Sequence, residues 1–301
     1  EAAARLGIQA AQAQIVFDTT VSYFDLLRSD EVVREHEKRL KRLRTYASII
    51  EALQRSGRAV ANDVLRVRTT GDQEQVDLTA AREVRAHSSI VLGSLMGIFG
   101  RTDLQIAAVT ALPAMPSGDL LQTPTLRAAQ RQVASARLAV QAARAERYPT
   151  FTLALTSGVE GVDPPQTFRD HLGASYDGAV TMPLFDGGLI TSHIQQAEAA
   201  LDAAIANQRQ IELQLKRDFA DTQALYRSAL KQLAILAESK STADDAFALD
   251  WTRFLGGGNV TLLEVLDAFQ QAENLHLTRL DQEFATRQAA AQAALLLGVS
   301  N

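Results

Sequence analysis

The 301-residue chain carries 30 Lys and Arg against 35 Asp and Glu, a net charge of −5, and no cysteine. That excludes disulfides, a thiolate zinc site and a cysteine nucleophile, and an acidic balance without a basic stripe argues against nucleic acid as a partner. Apolar residues make up 47% but aromatics only 6%, with Ala, Leu, Gln and Arg dominant, a mix that favours long helices.

The chain opens at Glu1 with neither a start methionine nor a signal sequence, as a processed or truncated product would, and Glu1-Ala2-Ala3-Ala4-Arg5 reads as a helical spacer. No apolar run reaches the roughly 18–20 residues that a membrane-spanning helix needs. The longest is Ile90–Phe99, so a helical membrane protein is excluded. All seven prolines lie between Pro113 and Pro183. A proline costs a helix interior about 3 kcal/mol, so the proline-free arms 1–112 and 184–301 are expected to be helical.

In chain order, residues 1–100 read as one long helical hairpin. Arg55-Ser56-Gly57-Arg58 turns it, between a helix ending near Gln54 and one running from about Ala59 to Phe99. Residues 101–123 form a connector, and Pro124 opens a helix reaching Arg147. In the segment 148–187, Phe151, Leu153 and Leu155 alternate with Thr152, Ala154 and Thr156. Alternation resumes from His171 to Met182, with Leu172, Ala174, Tyr176, Val180 and Met182 on one side and Gly173, Ser175, Asp177 and Thr181 on the other. Period two predicts two strands joined by a polar, proline-broken loop at Glu160–Asp170. Residues 188–301 repeat the hairpin. Ile190, Ile194, Ala197, Leu201 and Ile205 begin a three-and-four stripe without a stop to Phe254, a run that would extend roughly 100 Å at 1.5 Å per residue. Gly256-Gly257-Gly258-Asn259 ends it, and Val260 starts another stripe through Leu297.

The two arms are copies. Asp18-Thr19 with Tyr23 recurs as Asp221-Thr222 with Tyr226. Gly57 with Asp63-Val64-Leu65 recurs as Gly258 with Glu264-Val265-Leu266, and Leu95-Met96-Gly97 as Leu296-Leu297-Gly298. Only the second copy is preceded by a helix and a strand pair, so the repeat offset leads us to expect about sixty-five further residues, a helix and a first β-hairpin, ahead of the first copy.

A soluble hairpin lying on a core and a transmembrane one share this alternation. Each strand, however, has the length of about 10 residues that a tilted strand needs to cross a bilayer. Attached to helices this long, a lone hairpin has no globule to lie on and must find partner strands from other chains, because open edges are not tolerated in lipid.

Several motifs carry a family likeness: Tyr148-Pro149-Thr150-Phe151 at the entrance to the strands, Met182-Pro183-Leu184-Phe185-Asp186-Gly187-Gly188 at their exit, the Pro124-Thr125-Leu126-Arg127-Ala128-Ala129 helix opening, and the paired glycine turns ahead of Asp63-Val64-Leu65 and Glu264-Val265-Leu266-Asp267. On these the chain resembles the TolC-like outer-membrane efflux protein family over essentially its whole length. The resemblance implies a mainly α fold with a small β part, in which tandem helical hairpins build a tunnel and the β-hairpin contributes to a trimeric β-barrel. It implies a homotrimer in the outer membrane of a Gram-negative bacterium, extending into the periplasm. The partners it implies are a periplasmic adaptor, an inner-membrane transporter of the RND or ABC type and outer-membrane lipid, with no nucleic acid and no cofactor. Two strands stand here where family protomers supply four.

The resemblance also assigns candidate residues. Glu264 and Asp267, three apart on one helix face, match the family's acidic periplasmic constriction, where threefold symmetry would gather six carboxylates and raise some of their pKa values by crowding. The alternative is that they only complement a helix dipole. Asn62 and Asp63 match the gate latch, whose Tyr and Arg partners fall on Leu255 and Val260, neither able to make the polar link. Gly57, Gly258 and Asn259 are the turns an adaptor would meet, Gly57 and Gly258 also reversing the chain through a left-handed conformation.

Trp251 and Phe254 read equally as adaptor contacts or as packing. Gly93, Gly97 and Gly100 read as a helix terminus, and Gly256–Gly258 lacks the strand and the Lys-Ser/Thr of a phosphate loop. The five histidines have no metal spacing, and no nucleophile, base and orienter cluster marks an enzyme. Two other readings stand beside the channel: a periplasmic adaptor, which needs β domains flanking its hairpin, and a structural coiled-coil protein, for which the alternation at 151–182 is an accident.

Overall fold

The computed structural model describes residues 2–109, 111–159 and 172–298. It contains α1 (Ala2–Arg55), α2 (Ala61–Leu95), a short 3-10 turn at Leu120–Gln122, α3 (Pro124–Ala145), β1 (Thr150–Val159), β2 (Leu172–Thr181), α4 (Leu189–Leu255) and α5 (Leu262–Leu297). The loop expected at Glu160–Asp170, together with His171, lies outside the described residues. Two compact units are formed, one from the described residues of Glu1–Ala4 and Thr125–Leu213, the other from those of Arg5–Pro124 and Gln214–Asn301. The 67-residue α4 is shared between them.

In the first unit β1 and β2 pair antiparallel from Thr150↔Thr181 to Val159↔Leu172, and this two-stranded ribbon is the whole sheet among the described residues. The α3 side chains Leu126, Ala129, Val133, Val140 and Ala143 are buried, a stripe spaced for one helix face. Arg144 pairs with Glu198 at 2.6 Å, and His193 Nδ1 lies 3.0 Å from Glu146, tying the end of α3 to the start of α4.

The second unit holds the main core. Leu43 and Ile50 of α1, Val64 and Val67 of α2, and Leu262, Val265, Leu266 and Phe269 of α5 are buried together, with Tyr46, Phe247, Trp251, Phe254 and Val260 packed around them. Phe269 meets Tyr46 edge-on with ring centroids 5.7 Å apart and Phe247 at 5.4 Å, geometries that add to area burial. Trp251, 4.6 Å from Tyr46, is therefore part of this packing.

Farther from the turns, the seams are ionic. Glu74 of α2, only 2% exposed, lies 2.7 Å from His36 Nδ1 and forms an ion pair with Arg39, whose Nε is 2.9 Å away, both from α1. Glu35 of α1 meets His276 of α5 at 3.2 Å, and Arg42 bonds Glu273. Burial of such charges is tolerated because each carboxylate has a cation or imidazole against it.

The connector is held by side chains from all four long helices. Tyr23 of α1 donates to the Ala107 carbonyl, and its repeat counterpart Tyr226 of α4 to the Pro113 carbonyl at 2.9 Å. Arg85 of α2 donates to the carbonyls of Thr102 and Leu104, Ser89 to that of Arg101, and Arg287 of α5 to that of Val109. An irregular segment cannot satisfy its own carbonyls, so the helices do it. This accounts for the tyrosine that both copies keep.

Replacing Phe269 with Ala should destabilise the second unit by about 3–5 kcal/mol, the usual cost of emptying a buried aromatic site, whereas Tyr226→Phe should cost about 1 kcal/mol by losing one hydrogen bond. Chemical unfolding followed by tryptophan fluorescence of Trp251 checks both.

Candidate functional site

The strand register sorts the ribbon into two faces. Phe151 pairs with Val180 and Leu155 with Tyr176, and with Leu153 they form one apolar face whose members are 65–83% exposed. The opposite face carries Thr150, Thr152, Ala154 and Thr156 against Thr181, Ala179, Asp177 and Ser175. A large apolar face left uncovered on both strands is what a ribbon facing lipid presents. Among the described residues no helix is long and apolar enough to cross a membrane.

The exit of the ribbon is built by the Pro183–Gly188 motif. Asp186 caps α4, accepting from Ile190 N at 2.7 Å and Gly188 N at 3.0 Å, and these bonds, Ile190's first, pull its pKa below the ordinary carboxylate value. Gly187 and Gly188 supply positive φ angles of 61° and 91° that let the chain turn from strand into helix. Leu184 and Phe185 stand out at the same point, 91% and 93% exposed.

Both helical hairpins turn by the same device. Arg58 N bonds the Leu53 carbonyl and Gly57 N that of Gln54; Gly258 N bonds the Arg253 carbonyl and Gly257 N that of Phe254. These are Schellman closures with the left-handed residue at Gly57 (φ 75°) and Gly257 (φ 76°). The second turn thus corrects the sequence expectation: Gly258 is not the left-handed residue. The turn itself repeats with an offset of 200, and one extra residue before Thr261 restores the offset of 201 in the helix that follows. Gly57 and Gly258 are both exposed, as is Asn259.

Past the turns stand the candidate acids. Thr261 caps α5, its backbone N donating to Glu264 Oε2 at 2.7 Å and its hydroxyl to the same oxygen at 3.0 Å, while Glu264 N returns a bond to Thr261 Oγ1 at 3.3 Å. In the first copy Asp63 accepts from Val60 N at 3.1 Å, but the valine side chain has no oxygen to answer with, and Asp63 N bonds the Val60 carbonyl at 3.0 Å instead. Glu264 and Asp63 are therefore the same element of helix-start chemistry. The bonds from Thr261, the backbone one first, hold the Glu264 carboxyl below its ordinary 4.5 within the single chain.

Asp267 is placed differently. It lines a groove of about 360 Å³ between α2 and α5 with Asn62, Leu65, Arg66, Thr69, Leu263, Leu266 and Gln270. The walls are repeat equivalents: Asn62 with Leu263, Leu65 with Leu266, Arg66 with Asp267, Thr69 with Gln270. The structure therefore brings Asn62 and Asp267 together and leaves Glu264 and Asp63 out of the groove.

A model of the family described as outer membrane efflux protein matches residues 116–299. The chain belongs to that family. It is 26% identical over 287 residues to the toluene efflux pump outer membrane protein TtgI of Pseudomonas putida, covering 91% of this chain and 61% of the relative. It is likewise 26% identical over 289 residues to the cation efflux system protein CusC of Escherichia coli, covering 91% and 59%. The chain thus spans about three fifths of these relatives. A solved structure of CusC superposes with a TM-score of 0.88 at 19% identity, covering 99% of this chain and 71% of that one, so the fold is that of the family's channels. These likenesses do not favour the adaptor alternative.

Two arginines escaped the sequence reading. Arg58, in the first turn, donates to the Leu255 carbonyl at 2.6 Å and so ties the tips of the two hairpins. The Leu255 backbone is thus bonded to Arg58, while Val260 packs on the core. Arg66 was hidden because its relation to Asp267 emerges only when the two copies are overlaid. Among the described residues no cluster of His, Asp and Glu could hold a metal ion.

Because the folded-state pKa of Glu264 lies below its ordinary 4.5, the capping contribution should be complete above that value and be lost as pH falls through the lowered one. Hydrogen exchange in the first turn of α5 should accelerate there, and Thr261→Ala should return the Glu264 titration toward 4.5 and remove the effect.

Proposed function

We propose that this protein is a passive outer-membrane conduit: a homotrimeric channel spanning the outer membrane of a Gram-negative bacterium and reaching into the periplasm. It exports substrates passed to it by a periplasmic adaptor and an inner-membrane transporter of the RND or ABC type, and it makes and breaks no bonds itself. The observation that carries this reading is the ribbon with one exposed apolar face and one small, polar face, each strand of membrane length. The β-hairpin contacts outer-membrane lipid through Phe151, Leu153, Leu155, Tyr176 and Val180. Its unpaired edges are closed by strands beyond this ribbon, which favours a ring of identical subunits.

In this reading the α2/α5 groove lies at the periplasmic mouth. Asp267 supplies fixed negative charge, Glu264 adds to it while remaining a cap, and Arg66 offsets part of the field. Asn62, Asp63 and the Arg58 tie hold the mouth closed, and the turns at Gly57, Gly258 and Asn259 meet the adaptor. Exposure of both turns supports that last assignment.

Purified protein in planar bilayers should conduct with a cation preference that falls in Glu264→Ala/Asp267→Ala and rises in Arg66→Ala. Unchanged preference in all three would remove the mouth assignment while leaving the channel. Leu153→Arg should cost roughly 2–4 kcal/mol per subunit by setting a guanidinium in hydrocarbon and block assembly in the outer membrane. Thr152→Arg, on the polar face, should assemble. If both variants assembled equally, the lipid-facing assignment would fail.

A further inference from the structure

Of the two strands, only Asp177 carries a charge. It sits on the polar face directly opposite Ala154, whose methyl group offers no partner, and the face around it is made of Thr152, Thr156, Ser175 and Ala179. Among the described residues no cation pairs with it. Its depth follows from the register. Both Asp177 and Ala154 are four residues from the helix-side end of the ribbon at Thr181 and Thr150, about 13 Å along the strands at 3.3 Å per residue. That is near the middle of a strand just long enough to cross the hydrocarbon, where an unpaired carboxylate toward lipid is disfavoured and a water-filled bore accommodates it.

We propose that Asp177 faces the bore of the β-barrel and is a second selectivity-determining residue, one carboxylate per subunit, at mid-membrane depth and separate from the acids at the helical mouth. The proposal rests on the channel reading. Small neighbours on its face leave the carboxylate uncovered, so its field acts on passing ions rather than being spent on a neighbouring side chain. Small cations are the class favoured and small anions the class opposed.

The chain has no cysteine, so single thiols can be read without background. In outer membranes or proteoliposomes, Asp177→Cys should react with a membrane-impermeant, charged methanethiosulfonate reagent, while the adjacent Tyr176→Cys, on the apolar face, should resist it. In planar bilayers Asp177→Asn should lower the cation-to-anion permeability ratio by about twofold or more at low salt, with the Glu264→Ala/Asp267→Ala background showing a further, separate drop. Conduction with an unaltered ratio in Asp177→Asn, or labelling of Tyr176→Cys in preference to Asp177→Cys, would overturn the proposal while leaving the channel intact. A wild type that never conducts would instead overturn the channel reading, and the thiol pattern would still report which face of the ribbon meets water.

Discussion

A two-stranded ribbon has a row of N–H and C=O groups along each outer edge, and in hydrocarbon every such group left unpaired costs several kcal/mol. β1 and β2 satisfy each other along ten register pairs and leave their other edges to something else. Water could do so, but then Phe151, Leu153, Leu155, Tyr176 and Val180 would lie in water as well, on a face with nothing beneath it. Lipid suits those side chains and is intolerant of the edges, so the ribbon is completed only where further strands close it. The demand for closure does not depend on the helices, yet in the proposed channel it gives them their use: a ring of ribbons would need its exits to continue as a wall, which Asp186 would start within a few residues of Thr181.

The helical unit solves a related problem, holding very long helices in register. Apolar burial near the turns fixes four helices around Phe269, but it cannot by itself distinguish one longitudinal setting from another. The buried carboxylates do. Glu74 is reached by His36 and Arg39 only when α1 and α2 are in step, and a slip of one turn would leave a desolvated charge without its partner, a penalty larger than the net value of the pair. The connector adds a second check, since Tyr23, Arg85, Tyr226 and Arg287 must all stand at the level of its carbonyls. Register is thereby specified at two heights.

Much of this was legible in the order of residues. Confinement of proline to the middle marked the helical arms, and alternation over Phe151–Val159 and His171–Met182 marked the strands, because each signal is local and physically dominant. Helix ends were less clear. The stripe suggests a helix to Phe99, whereas α2 closes at Leu95 because Gly97 takes the left-handed position and Ile98 N reaches back to the Gly93 carbonyl at 2.7 Å. In a run of three glycines nothing in the sequence says which one turns, so Gly257 could be read only from backbone geometry. Contacts that depend on docking, such as Arg58 with the Leu255 carbonyl or His36 with Glu74, have no local signature at all. The candidate acids were found by spacing and resemblance, but spacing could not say that Glu264 is occupied as a cap while Asp267 faces the groove.

That difference bears on how an acidic mouth would work. A carboxylate engaged by a helix start is held in place and kept ionised, so it contributes a constant field but has little freedom to follow a passing ion. Asp267 is not so engaged, yet it shares its groove with Arg66, and the field there is the difference of two opposed charges rather than the sum of like ones. Duplication explains how this arose on one framework: the same helix-start position is a cap in both copies, and the same groove position is a cation in one and an anion in the other. A mouth made this way is less strongly acidic than a count of its carboxylates suggests. Its field would be most sensitive to the single substitution that removes the opposing arginine.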